Sequence, residues 1–352
     1  MNNKDIQKIR STYQYAQRKA ARIDKSFYSL RSILGNTWAY FYILIGGREA
    51  GKSYSVMDLF LRDWKRKKKP FTWIRLNEKS TQKMLANKAD KLVDPDLRRK
   101  YDLELTVNTN QVFDHGEPMC KVLALSTFYN DKGVALYDNE FDLGYNIAVD
   151  EFQPEPTAQK NLFDTAYALV NQLENLVRSS KENIRIFLIC NLLEEASDIL
   201  VSFGFIPEIF GRYYIHKKRA VIDYIPPSES YLKRRKGTIA DLLSSDSSTF
   251  TNRIDVDKSL ICKNQLHKPT YVIKFTKDKS DWFTVWDGVV IKQYNGENLK
   301  VLPMRPYLDE VFSTELRDSV IANFDNRYFL YRDLFTQKAF KRQLELLKPR
   351  KG

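Results

Sequence analysis

Histidine and cysteine are scarce, three of each in 352 residues. Cys120, Cys190 and Cys262 are too far apart for a C-x-x-C pair and too few for a disulfide framework, which suits a reducing compartment. His115, His216 and His267 are equally scattered, so a histidine-based metal centre is not expected. Long uncharged apolar runs and an N-terminal apolar h-region are also lacking. Neither membrane spanning nor secretion is indicated, and a soluble protein with no membrane partner is expected.

What the chain has in excess is positive charge: 57 Lys and Arg against 44 Asp and Glu, a formal net charge of +13. Such a balance favours a polyanionic partner. The charge is gathered in islands: the segment up to Ser32, "RDWKRKKKP" ending at Pro70, "HKKRA" at His216 to Ala220, "LKRRKG" at Leu232 to Gly237, and the tail "KPRKG". Any one island alone reads as a solvated face, and several together point to nucleic acid.

Apolar spacing organises the rest. Residues 4 to about 34 read as a basic, tyrosine-rich helical segment, giving an N-terminal extension over 1–36. Strand and helix signals alternate from Thr37 to about Asn191: strands ending at Ile45 and Leu76, a helix over Tyr54–Lys67, a helix over Ser80–Val93, "YNIAVDEF", a helix over Asn161–Ser180, and the buried-strand run "IRIFLIC". This predicts an α/β domain with a predominantly parallel sheet over 37–195. Pro, Ser and charge crowd the stretch after it, which reads as a linker over 196–245. Short β-rich segments with turn signals at Asp287-Gly288 and Asn295-Gly296, then a helical end, predict a smaller α+β domain over 246–352. No internal repeat is seen.

The sharpest motif is G-x-x-x-x-G-K-S: Gly46, Gly47, Arg48, Glu49, Ala50, Gly51, Lys52, Ser53, between a predicted strand and a predicted helix. Glycines let backbone N–H groups turn inward around phosphate oxygens, and the helix that follows offers the positive end of its dipole. Lys52 would reach the β- and γ-phosphates of ATP, and Ser53 would offer its hydroxyl to Mg²⁺. The competing reading, a glycine-rich turn, does not account for the full pattern in that context.

A phosphate loop predicts an apolar strand ending in acids, and "YNIAVDEF" supplies Asp150 and Glu151. Asp150 would support Mg²⁺, and Glu151 would polarise the water that attacks the γ-phosphate. Arg178 in "ENLVRSS" is a candidate arginine finger if that helix end meets a neighbouring subunit, against the ordinary reading of a capping arginine. Asn191, directly after "IRIFLIC", could sense the γ-phosphate or simply form a turn. Lys132 in "FYNDKG" precedes the acidic strand on a loop, within reach of a phosphate or merely solvated.

With these residues the chain resembles the DNA-packaging motor ATPases of small-genome tailed bacteriophages, relatives of the terminase large subunits. "GGREAGKS" is similar to their phosphate loop with its internal arginine, here Arg48. "TWIRL", with Arg75 near its end, resembles their next strand, "NIAVDEF" their acidic motif, and "LVRSSKENIRIFLICN" the segment from finger arginine to coupling asparagine. The basic segment before Thr37 is longer than the family's usual start, and the loop from Lys132 to Asp150 is extended. The resemblance implies a P-loop ATPase of the additional-strand, catalytic-glutamate type, with Arg178 and Lys132 acting on a neighbour's nucleotide and Asn191 as γ-phosphate sensor. It also implies a pentameric ring that draws double-stranded DNA into a procapsid at the portal vertex, in the host cell cytoplasm, with a packaging RNA as a further candidate partner.

A translocase must tolerate every sequence, so its DNA contacts should be to the phosphate backbone, and Lys79, Lys65 and Lys67 are the candidates. In the family the second domain resembles an RNase H-type nuclease. The acids Asp278, Asp281, Asp287, Asp309 and Glu310 form no evident triad here, so a vestigial, docking domain without nuclease activity is expected. Two other readings stand beside the motor: another ring-shaped DNA translocase or helicase, and a nucleotide-responsive portal docking protein without significant turnover.

Overall fold

The computed structural model describes residues 27–127, 144–152, 165–177, 183–191, 198–239, 242, 259–292, 299–308 and 312–347. Two units emerge. One comprises the described residues between 27 and 191 together with those from 209 to 242; the other comprises the described residues from 198 to 208 and from 259 to 347.

The larger unit is a mixed α/β fold around a nine-stranded sheet. Its strands are β1 (Phe41–Ile45), β2 (Phe71–Arg75), β3 (Leu105–Asn108), β4 (Gln111–Asp114), β5 (Glu117–Ala124), β6 (Tyr145–Asp150), β7 (Ile184–Cys190), β8 (Gly211–Ile215) and β9 (Ala220–Tyr224), in the order β3-β4-β5-β2-β6-β7-β1-β9-β8. All pairings from β5 to β9 are parallel, and the hairpin β3-β4 on one side and β8 on the other run antiparallel. The central strands are buried nearly throughout, as "YILI" and "IRIFLIC" require, because a parallel sheet is covered on both faces.

A short helix α1 (Arg31–Leu34) precedes β1, and α2 (Lys52–Lys67) follows it. Helix α2 turns Val56, Met57, Leu59, Phe60, Leu61 and Trp64 inward, with Lys65, Arg66 and Lys67 in its last turn, where cations suit the helix dipole. Phe60 has no exposed surface and meets the rings of Phe71, Phe187 and Trp73 at centroid distances of 5.3, 5.6 and 6.4 Å. Burying such a ring contributes about 1.5–3 kcal/mol. Helix α3 (Glu78–Ala89) falls short of the expected helix over 80–93, since Asn87 and Lys88 take left-handed backbone angles inside it. Helices α4 (Pro95–Lys100) and α5 (Thr165–Val177) complete the part before β7.

The expected linker is corrected here. The described residues from 209 to 242 belong to the larger unit, and β9 pairs in parallel with β1 itself, register Phe41↔Ala220 to Ile45↔Tyr224. All five residues of β9 are buried, Asp223 among them, held by Arg212 and by the Tyr28 hydroxyl. The N-terminal boundary moves as well: Tyr28, Leu30 and Ile33 pack into the core of this unit, so 27–36 is part of the domain. Residues 1–26 of the expected extension lie outside the described residues.

The smaller unit contains α6 (Asp198–Ser202) and a five-stranded sheet of β10 (Pro269–Lys274), β11 (Trp282–Trp286), β12 (Val289–Ile291), β13 (Lys300–Pro303) and β14 (Leu330–Tyr331), order β13-β10-β11-β12-β14. Strands β10, β11 and β12 form an antiparallel meander, with β13 parallel to β10 and β14 parallel to β12. Asp287 and Gly288, both at positive φ, make the tight turn between β11 and β12 that their sequence signals. Of the expected C-terminal helix, two helices form in this unit, α8 (Thr314–Asp325) and α9 (Leu334–Glu345), separated by β14. Phe340 on α9 is the hub of the core, edge-on to Phe275, Phe283 and Phe329. The helix α7 (Glu229–Arg235) returns to the larger unit.

Candidate functional site

The loop Gly46–Ser53 leaves β1 and enters α2 as its motif predicts. Its first residue is tied to β7, the Gly46 N–H donating to the Cys190 carbonyl at 3.4 Å. Gly51 holds φ +85 at the mouth of α2, and a Cβ there would lie 3.0 Å from the Cβ of Phe27, so both the backbone and the space call for glycine. A Cβ on Gly46 would lie equally close to Ile225, the residue after β9.

Lys52 is buried and curls back over the loop, donating to the carbonyls of Gly46 at 2.8 Å and Gly47 at 2.6 Å. Burial pulls its pKa down to about 8, while Cys190, Asp150 and Glu151 push the other way. The ammonium is thus desolvated and holds its proton less firmly than an exposed lysine, a state that an incoming polyanion would relieve.

Ser53 donates its hydroxyl to Asp150 Oδ1 at 3.0 Å, joining the loop to the end of β6 across 97 residues of sequence. Asp150 is buried; Glu151, next to it, has φ 55 and a half-exposed side chain. A left-handed glutamate is uncommon and costs backbone energy that its neighbours must supply. Phe152 supplies it, fully buried with its N–H on the Ile189 carbonyl at 3.2 Å. Asp150 therefore points toward the loop and Glu151 turns outward beside it.

Arg75, at the end of β2, bridges the two acids: one guanidinium nitrogen donates to Asp150 Oδ2 at 2.8 Å and another to Glu151 Oε2. The sequence offers Arg75 only as part of "TWIRL", which resembles the family's second strand, with no role attached; the adjacency of β2 and β6 gives it this position. Asn191 is half-buried directly after Cys190, whose carbonyl receives the first N–H of the loop, so it stands at the same edge of the sheet. Arg178 and Lys132 lie outside the described residues.

Other residues support the loop that sequence reasoning did not single out. The Tyr28 N–H donates to the Ala50 carbonyl at 2.8 Å, and the Ser55 hydroxyl donates to the Tyr28 carbonyl at 2.7 Å. The Tyr28 hydroxyl donates to buried Asp223 at 2.6 Å, which Arg212 clamps through Nε and a terminal nitrogen. Arg235, from the basic "LKRRKG" island, is buried near Tyr231 and lies 3.7 Å from Glu49 in the loop.

The basic candidates divide. Lys79 is exposed at the first turn of α3, just beyond β2, on the same edge of the sheet as the loop. Lys65 donates from its ammonium to buried Asp114 at 2.8 Å and to the Asp102 carbonyl at 3.1 Å. Lys67 is exposed but sits, like Lys65, at the far end of α2, about 20 Å from the loop at 1.5 Å per residue. Among the described residues no three of His, Cys, Asp and Glu cluster to hold a metal, and no helix is long and apolar enough to cross a membrane.

A model of the podovirus DNA encapsidation protein (Gp16) family matches residues 23–334. No curated protein matches the sequence significantly. Among solved structures, the DNA packaging motor gp11 of phage Phi-28 aligns with a TM-score of 0.61 and 16% identity, over 91% of this chain and 97% of that one. The viral genome packaging motor assembly of bacteriophage Phi-29 aligns with a TM-score of 0.58 and 16% identity, over 92% of this chain and 100% of that one. Both likenesses bear on the fold.

Proposed function

Because the chain belongs to the podovirus DNA encapsidation protein (Gp16) family, and so is an ATPase motor that moves viral DNA into a procapsid, we propose that its hydrolytic cycle runs on the loop Gly46–Ser53 and the pair Asp150–Glu151. One contact carries this reading: Ser53 Oγ, 3.0 Å from Asp150 Oδ1, unites the phosphate loop with the acidic strand end. The loop N–H groups and Lys52 take the phosphates of ATP, with Arg48, Glu49 and Ala50 shaping the cradle between the glycines. Ser53 and Asp150 form a hard oxygen pair of the kind Mg²⁺ takes, and they are the residues that would hold it. Held there, the ion would supply positive charge against the phosphates of the nucleotide.

Glu151 accepts a proton from the attacking water, and Arg75 orients both carboxylates from the neighbouring strand. Asn191, beside the loop, senses the γ-phosphate. Arg178 and Lys132 supply positive charge to a neighbouring subunit's nucleotide, where an arginine in trans lowers the barrier most. The position of β7, between β1 and β6, supports the additional-strand, catalytic-glutamate type of P-loop ATPase.

Subunits that complete one another's sites form a ring, which we take as pentameric and seated at the procapsid portal in the host cytoplasm, directly or through a packaging RNA. Duplex DNA is gripped through its phosphates, with exposed Lys79 the leading contact. In the second unit, the meander β10-β11-β12 with β13 parallel beside β10 supports an RNase H-like domain. Neither "PTYVIK" of β10 nor "KVLP" of β13 carries an acid, which favours docking over strand cutting.

Steady-state ATP hydrolysis with and without long duplex DNA tests the scheme, using wild type, Lys52→Ala, and wild type mixed with rising Arg178→Ala. Turnover that DNA stimulates, that Lys52→Ala abolishes, and that falls faster than the mutant fraction rises is expected. A fall only in proportion would mean subunits acting alone and would refute the trans role of Arg178.

A further inference from the structure

The hydrolytic site leaves the basic island "HKKRA" unused. It forms the turn between β8 and β9: β8 is the outermost strand of the sheet, and His216, Lys217, Lys218 and Arg219 are all exposed. Because β9 runs parallel to β1, this turn lies at the start of both strands, at the pole of the sheet opposite the phosphate loop.

Aromatic rings gather beside these cations. Tyr214 near the end of β8 and His216 at the start of the turn face one another with ring centroids 6.2 Å apart, and Trp38 lies 4.4 Å from His216 and 6.3 Å from Tyr214. Tyr214 is exposed. Arg219 is spent on structure: its guanidinium lies 3.6 Å over the Tyr40 ring and donates to the Trp38 carbonyl at 2.9 Å, pinning the segment that carries Trp38 to the turn. Lys217 and Lys218, by contrast, pair with no carboxylate among the described residues. Arg66 and Lys67 are exposed where α2 ends, at the same pole, and add to its positive field.

Rigid rings at a sheet edge next to unpaired lysines are what a strand with unpaired bases needs: faces to stack on and cations along its phosphates. A duplex hides its base faces and would use only the lysines. We propose that this pole binds a single-stranded stretch of nucleic acid, with bases stacked on Tyr214 and the Trp38–His216 pair and phosphates on Lys217 and Lys218. This is a second nucleic-acid site, remote from the phosphate loop, that translocation of duplex DNA does not itself require.

The test is fluorescence anisotropy on the full-length protein with labelled oligothymidylate and, separately, a labelled duplex of equal length. Tyr214→Ala should weaken oligothymidylate binding about tenfold, as loss of a base–aromatic stack does, and leave duplex binding unchanged. Tyr214→Phe should restore binding, since the ring is what matters. Lys217→Ala with Lys218→Ala should weaken oligothymidylate binding and reduce the slope of log affinity against log salt by about 1.4, two phosphates' worth on a single strand. Basal ATP turnover without nucleic acid should be unchanged in all three, which reports that the domain is folded. Oligothymidylate binding by Tyr214→Ala equal to wild type, or an equal loss for duplex and oligothymidylate, overturns the proposal.

Discussion

Removing one hydroxyl should loosen the loop Gly46–Ser53 from a distance. In Tyr28→Phe the N–H bond to the Ala50 carbonyl and the bond the Tyr28 carbonyl accepts from Ser55 are retained, and only the 2.6 Å bond to Asp223 is lost. A hydrogen bond to a buried carboxylate contributes about 1.5–3 kcal/mol. Asp223 keeps both bonds from Arg212, at 2.5 and 2.7 Å, so it is not left without a partner and the lower figure applies. About 1.5 kcal/mol in a domain of 150–250 residues corresponds to a fall in Tm of about 3–6 °C. Asp223→Ala should cost more, about 3–5 kcal/mol, because the half-buried Arg212 would lose its carboxylate.

The informative readout is the coupling to ATP. Residues 27–32 are strapped at one end to the loop through Tyr28 and at the other to β8 through Arg212, which donates to the Ser32 carbonyl and hydroxyl. If that strap positions the loop, Tyr28→Phe raises KM for ATP severalfold while kcat changes little. Burial and then Asp223 hold the Tyr28 hydroxyl pKa well above its usual value. A group raised in this way contributes fully below its unfolded pKa of about 10, so the stability difference should be flat from about pH 6 to 9. Thermal unfolding and ATPase titration on the same samples decide. A lowered Tm with KM unchanged would refute the strap, and an unchanged Tm would refute the energetic reasoning itself.

Four other outcomes follow from the same geometry. Glu151→Gln should lower turnover by about 10²–10⁴ while nucleotide affinity, measured by calorimetry, stays within severalfold of wild type. Nucleotide binding should take up a proton and weaken as pH rises through about 8, since free Lys52 loses its charge there; heats measured in buffers of different ionisation enthalpy will reveal the uptake. Gly51→Ala should cost at least about 1–2 kcal/mol for a left-handed alanine, more for the approach to Phe27, and appear as a lowered Tm with a raised KM. Lys69 is buried, and burial followed by Arg185 draws its pKa down to about 8. Its folded value lies below the unfolded one, so it makes stability climb between about pH 8 and 10.5; Lys69→Met should flatten that rise in denaturant melts and leave the protein as stable or more so near pH 7.

The parts of the fold that could be read from the sequence are those whose signal is contiguous. The loop, the acidic end of β6 and the apolar β7 each declare themselves within eight residues, and the Asp287-Gly288 turn within two. Pairing is different. That β7 lies between β1 and β6, and that β2 borders β6, follows from which apolar surfaces cover one another, and no local pattern encodes it. Arg75 shows the consequence: an unremarkable strand-end arginine becomes the bridge between Asp150 and Glu151 only through that adjacency. Lys65 on α2 shows the converse, a charge in a basic run whose partner Asp114 comes from strand β4.

The misread linker has the same cause at larger scale. "AVIDY" is five residues long, bears a charge at its fourth position, and stands between "HKKR" and "IPPSES", so every local cue favours a loop. It is nonetheless the strand beside β1, because the charge of Asp223 is matched by Arg212 on β8 and by Tyr28 from before β1. A buried carboxylate is tolerated only where such partners converge. The pairing that hides β9 from sequence reading is therefore the one that ties the chain on both sides of the loop Gly46–Ser53 together. Replacing Asp223 and Arg212 together with apolar residues of similar volume should keep the fold while releasing Tyr28, and a raised KM for ATP in that stable double variant would separate the anchoring of the loop from the stability of the sheet.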